Sequence, residues 1–156
     1  MAKLDGIGRD VCEATEFLTI VTTGDDGPHV VGNWGEYMRV LGIKEDMIVL
    51  PAGRYRKTEQ NLRKNNHVQL MVASRKVQGT RTPGQGCLIV GTAEILDSGD
   101  VVDAVKAKFP WARGALVPAS IRPMTMSRQL AARSRISRKC DIVFRPSAII
   151  NLKSQP

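Results

Sequence analysis

Cysteine, histidine and aromatic residues are all scarce in this chain of 156 residues, and the shortages exclude several kinds of site. The three cysteines, Cys12, Cys87 and Cys140, lie far apart without a Cys-x-x-Cys pair. This spacing argues against zinc and against a disulfide framework, and it is typical of a reducing cytosol. Only His29 and His67 exist, so a histidine-rich metal site is excluded. No paired carboxylates, Ser-His-Asp arrangement or reactive-cysteine setting is recognisable, so we predict no catalytic side chain and no metal site.

The chain also lacks a long apolar run. Its N-terminal segment has no apolar signal-peptide core, and no stretch is long enough to span a membrane. We therefore expect a soluble, cytoplasmic protein with no membrane partner. At this length one domain can bury a core without disulfides or metals.

Positive charge is concentrated near the C-terminus. Residues 1–117 carry 15 Lys and Arg against 14 Asp and Glu, whereas residues 118–156 carry 8 against 1. We therefore divide the chain into a domain at 1–117 and a basic extension at 118–156. The extension is expected either to be disordered, over at least 119–139, or to supply a terminal strand from 140–144 or 148–152. Its charge could contact nucleic acid, but such charge runs are more often simply solvated.

Most of the domain has the alternation of β-strands. Strands are expected at 17–23, 29–34, 36–41, 47–50, 67–73, 87–96 and 111–117, and the polar stretch 74–86 is expected to be an exposed loop. Helices are expected at 8–15, at 58–65, and between Ser98, as a capping residue, and Pro110. This pattern predicts a mainly β fold, a β-barrel with a few helices, in preference to a doubly wound sheet.

The segment 47–66 has the features of a phosphate-binding turn. An apolar strand ends in Pro51-Ala52-Gly53, a basic turn follows, and a helix then begins. Free N–H groups at a helix start favour anions, and Arg56 and Lys57 add full charge. Thr58 supplies a hydroxyl that can cap the helix or bind a phosphate oxygen. The alternative is an ordinary surface helix whose basic start is solvated, and this segment alone does not choose between them.

Several motifs share their order and spacing with a known family. They are Gly27-Pro28-His29-Val30-Val31 with Asn33-Trp34, then Tyr37, Pro51-x-Gly53, Lys57-Thr58-Glu59 with Asn61, Ser74-Arg75-Lys76-Val77-x-Gly79, Pro83-Gly84-x-Gly86 and Trp111-Ala112-Arg113-x-Ala115-Leu116-Val117. Residues 14–117 thereby resemble the small FMN-binding proteins of sulfate-reducing bacteria, in the pyridoxamine-phosphate-oxidase-like class. The resemblance implies a six-stranded split β-barrel that forms a homodimer and binds one FMN per subunit near the interface.

The resemblance and the residue chemistry together indicate an FMN site. Arg56, Lys57 and Thr58 suit the phosphate, and the backbone of Pro51, Ala52 and Gly53, expected to be unpaired, could offer N–H groups to the flavin ring edge. The remaining candidates are Gly32, Asn33 and Trp34 for the ring or ribityl chain, Arg75 and Lys76 for the phosphate, and Trp111, which in the family approaches the partner subunit's flavin. For Arg75 and Lys76 a solvated loop is an equal alternative, and both tryptophans could be ordinary core residues. The family pattern Asn-Thr-Trp reads Gly32-Asn33-Trp34 here, so contacts made by its threonine are not carried over.

We therefore expect an FMN-binding flavoprotein acting in electron transfer or as a flavin-dependent reductase, with the cofactor supplying the chemistry. Its redox partner is either a protein or a nicotinamide nucleotide. An oxidase resembling pyridoxamine-phosphate oxidase ranks lower, because no second phosphate-recognition site is visible in the sequence. A nucleic-acid-binding module that uses the basic extension ranks third.

Overall fold

The computed structural model describes residues 3–44, 46–79 and 83–125, and its side chains are described as far as Ala119. These residues form four helices and six strands. In chain order they are α1 (Gly6–Ala14), β1 (Phe17–Gly24), β2 (Gly27–Trp34), α2 (Gly35–Leu41), β3 (Leu50–Ala52), α3 (Arg56–Lys64), β4 (His67–Gln78), β5 (Pro83–Leu96), α4 (Asp100–Lys108) and β6 (Gly114–Thr125). Within this part of the chain, no helix is both long and apolar enough to cross a membrane.

The six strands form one antiparallel sheet in the order β2-β1-β4-β5-β6-β3, so β2 and β3 are its two edges. Alternate residues of the central strands point inward, and Leu18, Ile20, Leu70 and Ile89 are completely buried. Burying each of these side chains stabilises the fold by about 1.5–3 kcal/mol. The sheet curls until its two edges meet at Asn33 and Pro51. The predicted six-stranded split β-barrel is therefore confirmed.

The predicted strand at 36–41 is wrong, because these residues form helix α2. Six residues are too few for the alternating pattern to distinguish a strand from one helical turn. Gly35 begins the helix where its N–H donates to Glu16 C=O at 2.9 Å. A Cβ at Gly35 would lie 2.1 Å from Thr15 O, so only glycine fits this close approach. Met38 is then the side chain that α2 buries in the core.

Several predicted boundaries also change. The exposed loop predicted at 74–86 is wrong for residues 74–78 and 83–86, because β4 continues to Gln78 and β5 already begins at Pro83. The strand predicted at 47–50 begins only at Leu50, and the one predicted at 111–117 begins at Gly114. Ser98 does not cap α4; Gly99 occupies the N-cap position, and the Ser98 hydroxyl donates to Asp97 Oδ1 at 3.2 Å.

The expectation of disorder is wrong for residues 119–125, which belong to β6. The backbone of this segment pairs with β5, from Thr92↔Ala119 to Cys87↔Thr125. A long neighbouring strand can order a segment with few large apolar residues by backbone pairing, and proline is tolerated in a strand with an open side. The predicted strands at 140–144 and 148–152 lie outside the described residues, and the division of the chain at 117 stays a prediction.

Candidate cofactor-binding site

Helix α3 is held against the β1–β2 hairpin by one face. Asn61 Nδ2 donates to Thr22 Oγ1 at 3.1 Å, and both side chains are buried. Gly24 leaves room for this contact, since a Cβ there would lie 2.2 Å from Asn61 Oδ1. Two ion pairs flank it: Lys57 Nζ lies 2.8 Å from Asp26 Oδ1, and Lys64 pairs with Asp25. The start of α3 is therefore fixed relative to the hairpin.

The first turn of α3 has the properties of an anion site. Its N-cap is Tyr55 and no side chain caps the helix, so the predicted capping role of Thr58 is wrong. The first intrahelical bond runs from Glu59 N–H to Tyr55 C=O at 2.8 Å, which leaves the N–H groups of residues 56–58 outside the helical ladder. Thr58 is completely buried, yet its Oγ1 has no hydrogen-bond partner among the described residues. A buried hydroxyl without a partner costs free energy, so this position calls for a ligand or another explanation.

Positive charge lies beside this turn. Arg56 is exposed and makes no ion pair within the described residues, whereas Lys57 already contacts Asp26. The hydrogen bond from Lys57 holds the pKa of the Asp26 carboxyl below its usual range. An arriving phosphate would compete with Asp26 for Lys57.

The two edges of the split barrel are joined by a hydrogen-bonded seam formed by Gly32, Asn33, Pro51 and Tyr55. Asn33 Nδ2 donates to Tyr55 Oη at 2.9 Å and, at a longer 3.5 Å, to Pro51 C=O. The Tyr55 hydroxyl donates to Gly32 C=O at 3.2 Å. Burial raises the pKa of Tyr55, and the bond from Asn33 opposes that rise. The neutral phenol therefore bridges both edges.

The seam occupies most of the Asn33 side chain, which we predicted as a contact for the ring or ribityl chain. Asn33 Oδ1 also accepts the Trp34 N–H at 2.8 Å, and the residue is buried. An amide has two N–H donors and two acceptor lone pairs, so one lone pair on Oδ1 remains for another donor. Gly32 contributes its carbonyl to the same seam.

The backbone of Pro51 and Ala52 is not unpaired as predicted, because both residues belong to β3 and pair with β6. Ala52 C=O accepts the Arg113 N–H at 2.9 Å, and Pro51 C=O faces the seam instead. Backbone groups alternate in direction along a strand, so the N–H of Gly53 is expected to face the open edge together with Pro51 C=O. Proline has no N–H, which leaves Gly53 as the donor available to a ring edge there.

The two tryptophans are both half-exposed, so neither is an ordinary core residue. Trp34 lies on the outer face of β2, and its ring meets that of Phe17 edge-on, with 5.7 Å between centroids. Trp111 packs over Gly53, where a Cβ would lie 3.3 Å from Trp111 Cζ3, and its ring is 5.7 Å from that of Tyr37. The structure thus places Trp111 beside the β3 edge and places Trp34 on the opposite face of the sheet from Asn33.

Arg75 and Lys76 lie apart from the start of α3. They border a depression with Phe17 at the first residues of β1, whereas Lys57 lies at the hairpin where β1 ends. Lys76 Nζ is 3.5 Å from Glu16 Oε1. Within one chain, these two residues and the α3 turn do not form one phosphate site.

The sequence reasoning overlooked two residues. Tyr55 lies within the basic turn, where only the charged residues and Thr58 were predicted to bind a ligand. No periodic pattern in the sequence indicates its role in the seam. Asp26 lies in the turn between β1 and β2, and no sequence signal identifies it as the counter-ion of Lys57. In the described part of the chain no group of three or more His, Cys, Asp or Glu side chains could hold a metal ion.

Comparisons with known proteins agree with this architecture. Residues 8–134 match the family described as pyridoxamine 5'-phosphate oxidase. An "FMN-binding protein" of Nitratidesulfovibrio vulgaris (strain DSM 19637 / Miyazaki F) is 40% identical over 114 residues, which cover 73% of this chain and 91% of that protein.

Two solved structures show the same fold at low identity. A histidine-to-alanine variant of HupZ from Group A Streptococcus is 17% identical, with a TM-score of 0.63, over 79% of this chain and 99% of that chain. A Clostridium acetobutylicum protein related to general stress protein 26 of B. subtilis is 15% identical, with a TM-score of 0.54, over 77% and 92% of the two chains. The order of the six strands, the extent of the family match and the 40% identity lead to one conclusion: this chain belongs to the pyridoxamine 5'-phosphate oxidase family.

Proposed function

We propose that this protein is an FMN-binding flavoprotein that passes electrons through its flavin, and that the first turn of α3 binds the FMN phosphate. The similarity to an "FMN-binding protein" at 40% identity supports the cofactor. Electron transfer or flavin-dependent reduction is the form of chemistry that we favour, because no constellation of catalytic side chains is recognisable in the described residues. FMN, when bound, supplies one- and two-electron redox chemistry, and the protein supplies binding, orientation and burial.

The observation that carries the proposal is the unpartnered hydroxyl of Thr58. A buried threonine in a helix ordinarily bonds a carbonyl one turn earlier or another polar group, and Thr58 does neither. Its hydroxyl is on the same helical turn as the free N–H groups of residues 56–58. A phosphate dianion accepts hydrogen bonds from hydroxyl and N–H donors alike, so it satisfies both sets at once.

Charge adds to these donors. Arg56 and Lys57 are the first two residues of the helix, and we expect the guanidinium and the ammonium to contact a phosphate bound there. Lys57 also pairs with Asp26, so the Asp26 carboxylate weakens the attraction between Lys57 and the phosphate. Asp25, the next acidic residue, is paired with Lys64 and stays out of this competition.

The flavin ring would lie along the open edge of β3. Gly53 offers the backbone donor there, and the absence of a side chain lets a flat ring approach closely. Trp111 forms an apolar wall beside Gly53, and the seam keeps the edges of β2 and β3 at a fixed separation. Burial of the ring by these groups would exclude water and thereby tune the flavin's redox potential.

We also propose that the protein is a homodimer. Phe17, Val30 and Trp34 expose at least half of their surface on one face of β1 and β2, and such an apolar face typically marks an interface. We expect dimers in sedimentation at micromolar concentration, and Val30→Asp should shift them to monomers because an unpaired charge would be buried. Wild-type protein that sediments as a monomer throughout this range would contradict the proposal.

Thr58→Val tests the phosphate site because removing the hydroxyl should change two quantities in opposite directions: the stability of the apoprotein should rise and the affinity for FMN should fall. Valine has the same shape but no polar group, so the apoprotein should gain about 1 kcal/mol when the unpartnered hydroxyl is removed. FMN affinity should nevertheless fall about tenfold, since a hydrogen bond to a charged group is lost. Urea denaturation of the apoprotein and fluorescence titration with FMN measure the two effects.

Thr22→Val is the matched control for stability. Thr22 is equally buried, but its hydroxyl is bonded to Asn61, so valine should cost about 1 kcal/mol. If Thr58→Val leaves FMN affinity unchanged, the hydroxyl does not contact the phosphate and the proposed site fails.

A further inference from the structure

A cleft of about 360 Å³ lies on the other side of α3 from the hairpin. Its walls include the start of α3, the end of β5 with the turn that follows it, and the entry to β6. Six charged residues line it: Arg54, Arg56, Glu59, Arg63, Asp97 and Arg113. We call this concavity the arginine cleft.

Helix periodicity separates the arginine cleft from the hairpin. Lys57, Asn61 and Lys64 follow the i, i+4, i+7 spacing and face the β1–β2 hairpin. Arg56 and Arg63 are seven residues apart on a different face of the same helix and line the cleft. The helix therefore presents two basic faces. Arg56 belongs to the first turn and also lines the arginine cleft, and Gly53 lines it too, so the cleft adjoins the proposed flavin site.

The charges in the cleft do not neutralise one another. Arg63 Nη2 pairs with Glu59 Oε1 at 2.6 Å, but Arg54, Arg56 and Arg113 form no ion pair within the described part of the chain. Four arginines against two carboxylates leave a net charge of +2 in one concavity. All four arginines are exposed, so water screens their mutual repulsion, but an anion in the cleft could accept charge-assisted hydrogen bonds from several of them at once.

We propose that the arginine cleft is a second anion site that binds a diphosphate-bearing small molecule of nucleotide size. One guanidinium group can donate two parallel hydrogen bonds to phosphate oxygens. The net charge of +2 in the cleft matches the two or three negative charges of a diphosphate. The volume of the cleft is about ten times the volume that one water molecule occupies in liquid water. It is therefore larger than a single phosphate group and lies in the range of small-ligand sites. An acidic protein partner would instead need a contact surface of about 800 Å² on this side.

Titration of FMN-saturated protein with ADP, followed by calorimetry at low ionic strength, tests the site. We expect ADP to bind without a change in the flavin absorbance spectrum, and inorganic pyrophosphate to compete with it. Adenosine, which lacks the diphosphate, should not bind. NADH carries the same diphosphate within a dinucleotide, so the ratio of its affinity to that of ADP distinguishes the two sources of this group.

Arg54→Gln and Arg113→Gln should each raise the Kd for ADP about tenfold, because each removes a charge-assisted contact. Neither residue belongs to the proposed flavin phosphate site, so FMN affinity should stay unchanged. Arg9→Gln is the control, since Arg9 is an exposed arginine that pairs with Glu13 on α1, outside the cleft.

Three outcomes would overturn the proposal. ADP could fail to bind, FMN could displace it, or Arg9→Gln could weaken ADP binding as much as the two cleft variants do. If heparin binds and ADP does not, the cleft is a surface for macromolecular anions and the proposal also fails. In apoprotein the first turn of α3 is also free to bind a phosphate, so there the weaker ADP binding of Arg54→Gln and Arg113→Gln, and not binding alone, identifies the cleft. This comparison holds even if the FMN proposal fails.

Discussion

Tyr55→Phe should loosen the seam that joins the two edges of the split barrel. The variant keeps the aromatic ring and removes only the hydroxyl, which accepts from Asn33 Nδ2 at 2.9 Å and donates to Gly32 C=O at 3.2 Å. Each such bond contributes about 0.5–1.5 kcal/mol net. Asn33 Nδ2 would also keep only its 3.5 Å contact with Pro51 C=O, and an unsatisfied buried donor costs about 1–3 kcal/mol.

The expected loss of stability for Tyr55→Phe is therefore about 2–3 kcal/mol, towards the lower end of that sum because Tyr55 is only partly buried. Urea denaturation should show a lower midpoint with an unchanged m-value. Tyr37→Phe is the control: the Tyr37 ring packs on Phe109 and Trp111, and no hydrogen bond of its hydroxyl is seen within the described residues. That variant should lie within about 0.5 kcal/mol of wild type.

A double-mutant cycle with Asn33→Ala isolates the bond itself. If Tyr55 and Asn33 act as one unit, the double variant should be less destabilised than the sum of the single variants by about 1 kcal/mol. Additive effects, or equal effects of Tyr55→Phe and Tyr37→Phe, would refute the reasoning that a hydrogen bond closes the barrel.

Four further variants test other parts of the account. Gly35→Ala should cost about 3 kcal/mol or more in urea denaturation, because its Cβ would meet a backbone oxygen 2.1 Å away, whereas Gly32→Ala should cost less because it meets only the ring of the exposed Phe17. Burial raises the pKa of Cys12 from 9.0 to about 12, so its thiol stays protonated in the folded state while the unfolded chain ionises. Stability should therefore fall between about pH 9 and 12, by up to roughly 1.4 kcal/mol per unit, and Cys12→Ser should lack this part of the slope. Asp26→Asn should increase FMN affinity severalfold, as measured by fluorescence titration, because Lys57 would no longer be shared with a carboxylate.

Local pattern and motif spacing were sufficient to predict the barrel, whereas the cofactor site stays a prediction. Strands β1 and β2 have β-branched residues, glycine and proline at the turn and alternating burial, so sequence and structure agree there. The helix at 58–65 was predicted within two residues of α3. The turn before it was predicted from its positive charge and from its position between a strand and a helix, whereas the lack of a capping side chain is visible only in the structure.

The wrong predictions fall in segments whose secondary structure is determined by tertiary contacts. Helix α2 depends on the approach of Gly35 to Thr15, which no local pattern encodes. The continuation of β6 to Thr125 depends on backbone pairing with β5. Pairing of this kind gives order to residues whose side chains would not predict it.

The candidate site follows the same division. Charge and motif spacing predicted Lys57 and Thr58, but the contact of Lys57 with Asp26 and the unpartnered Thr58 hydroxyl are visible only in the structure. Asp26 lies in a hairpin turn more than thirty residues before Lys57, and Tyr55 reaches across the open side of the barrel to Asn33. The arginine cleft likewise brings the start of α3 and Arg113 together, although the sequence pattern predicted Arg113 only as part of a strand.

The central claim is that the first turn of α3 binds the FMN phosphate, and the affinities of FMN and riboflavin measured on matched lysine variants test it most directly. Riboflavin lacks the phosphate, so the ratio of the two dissociation constants isolates that group. Lys57→Ala should weaken FMN binding about ten- to a hundredfold and leave riboflavin binding nearly unchanged. Lys64→Ala removes the other ion pair between α3 and the hairpin without touching the turn, so its ratio should match that of wild type. If Lys57→Ala weakens both flavins equally, or if Lys64→Ala has the same effect as Lys57→Ala, then Lys57 supports the hairpin and the phosphate lies elsewhere.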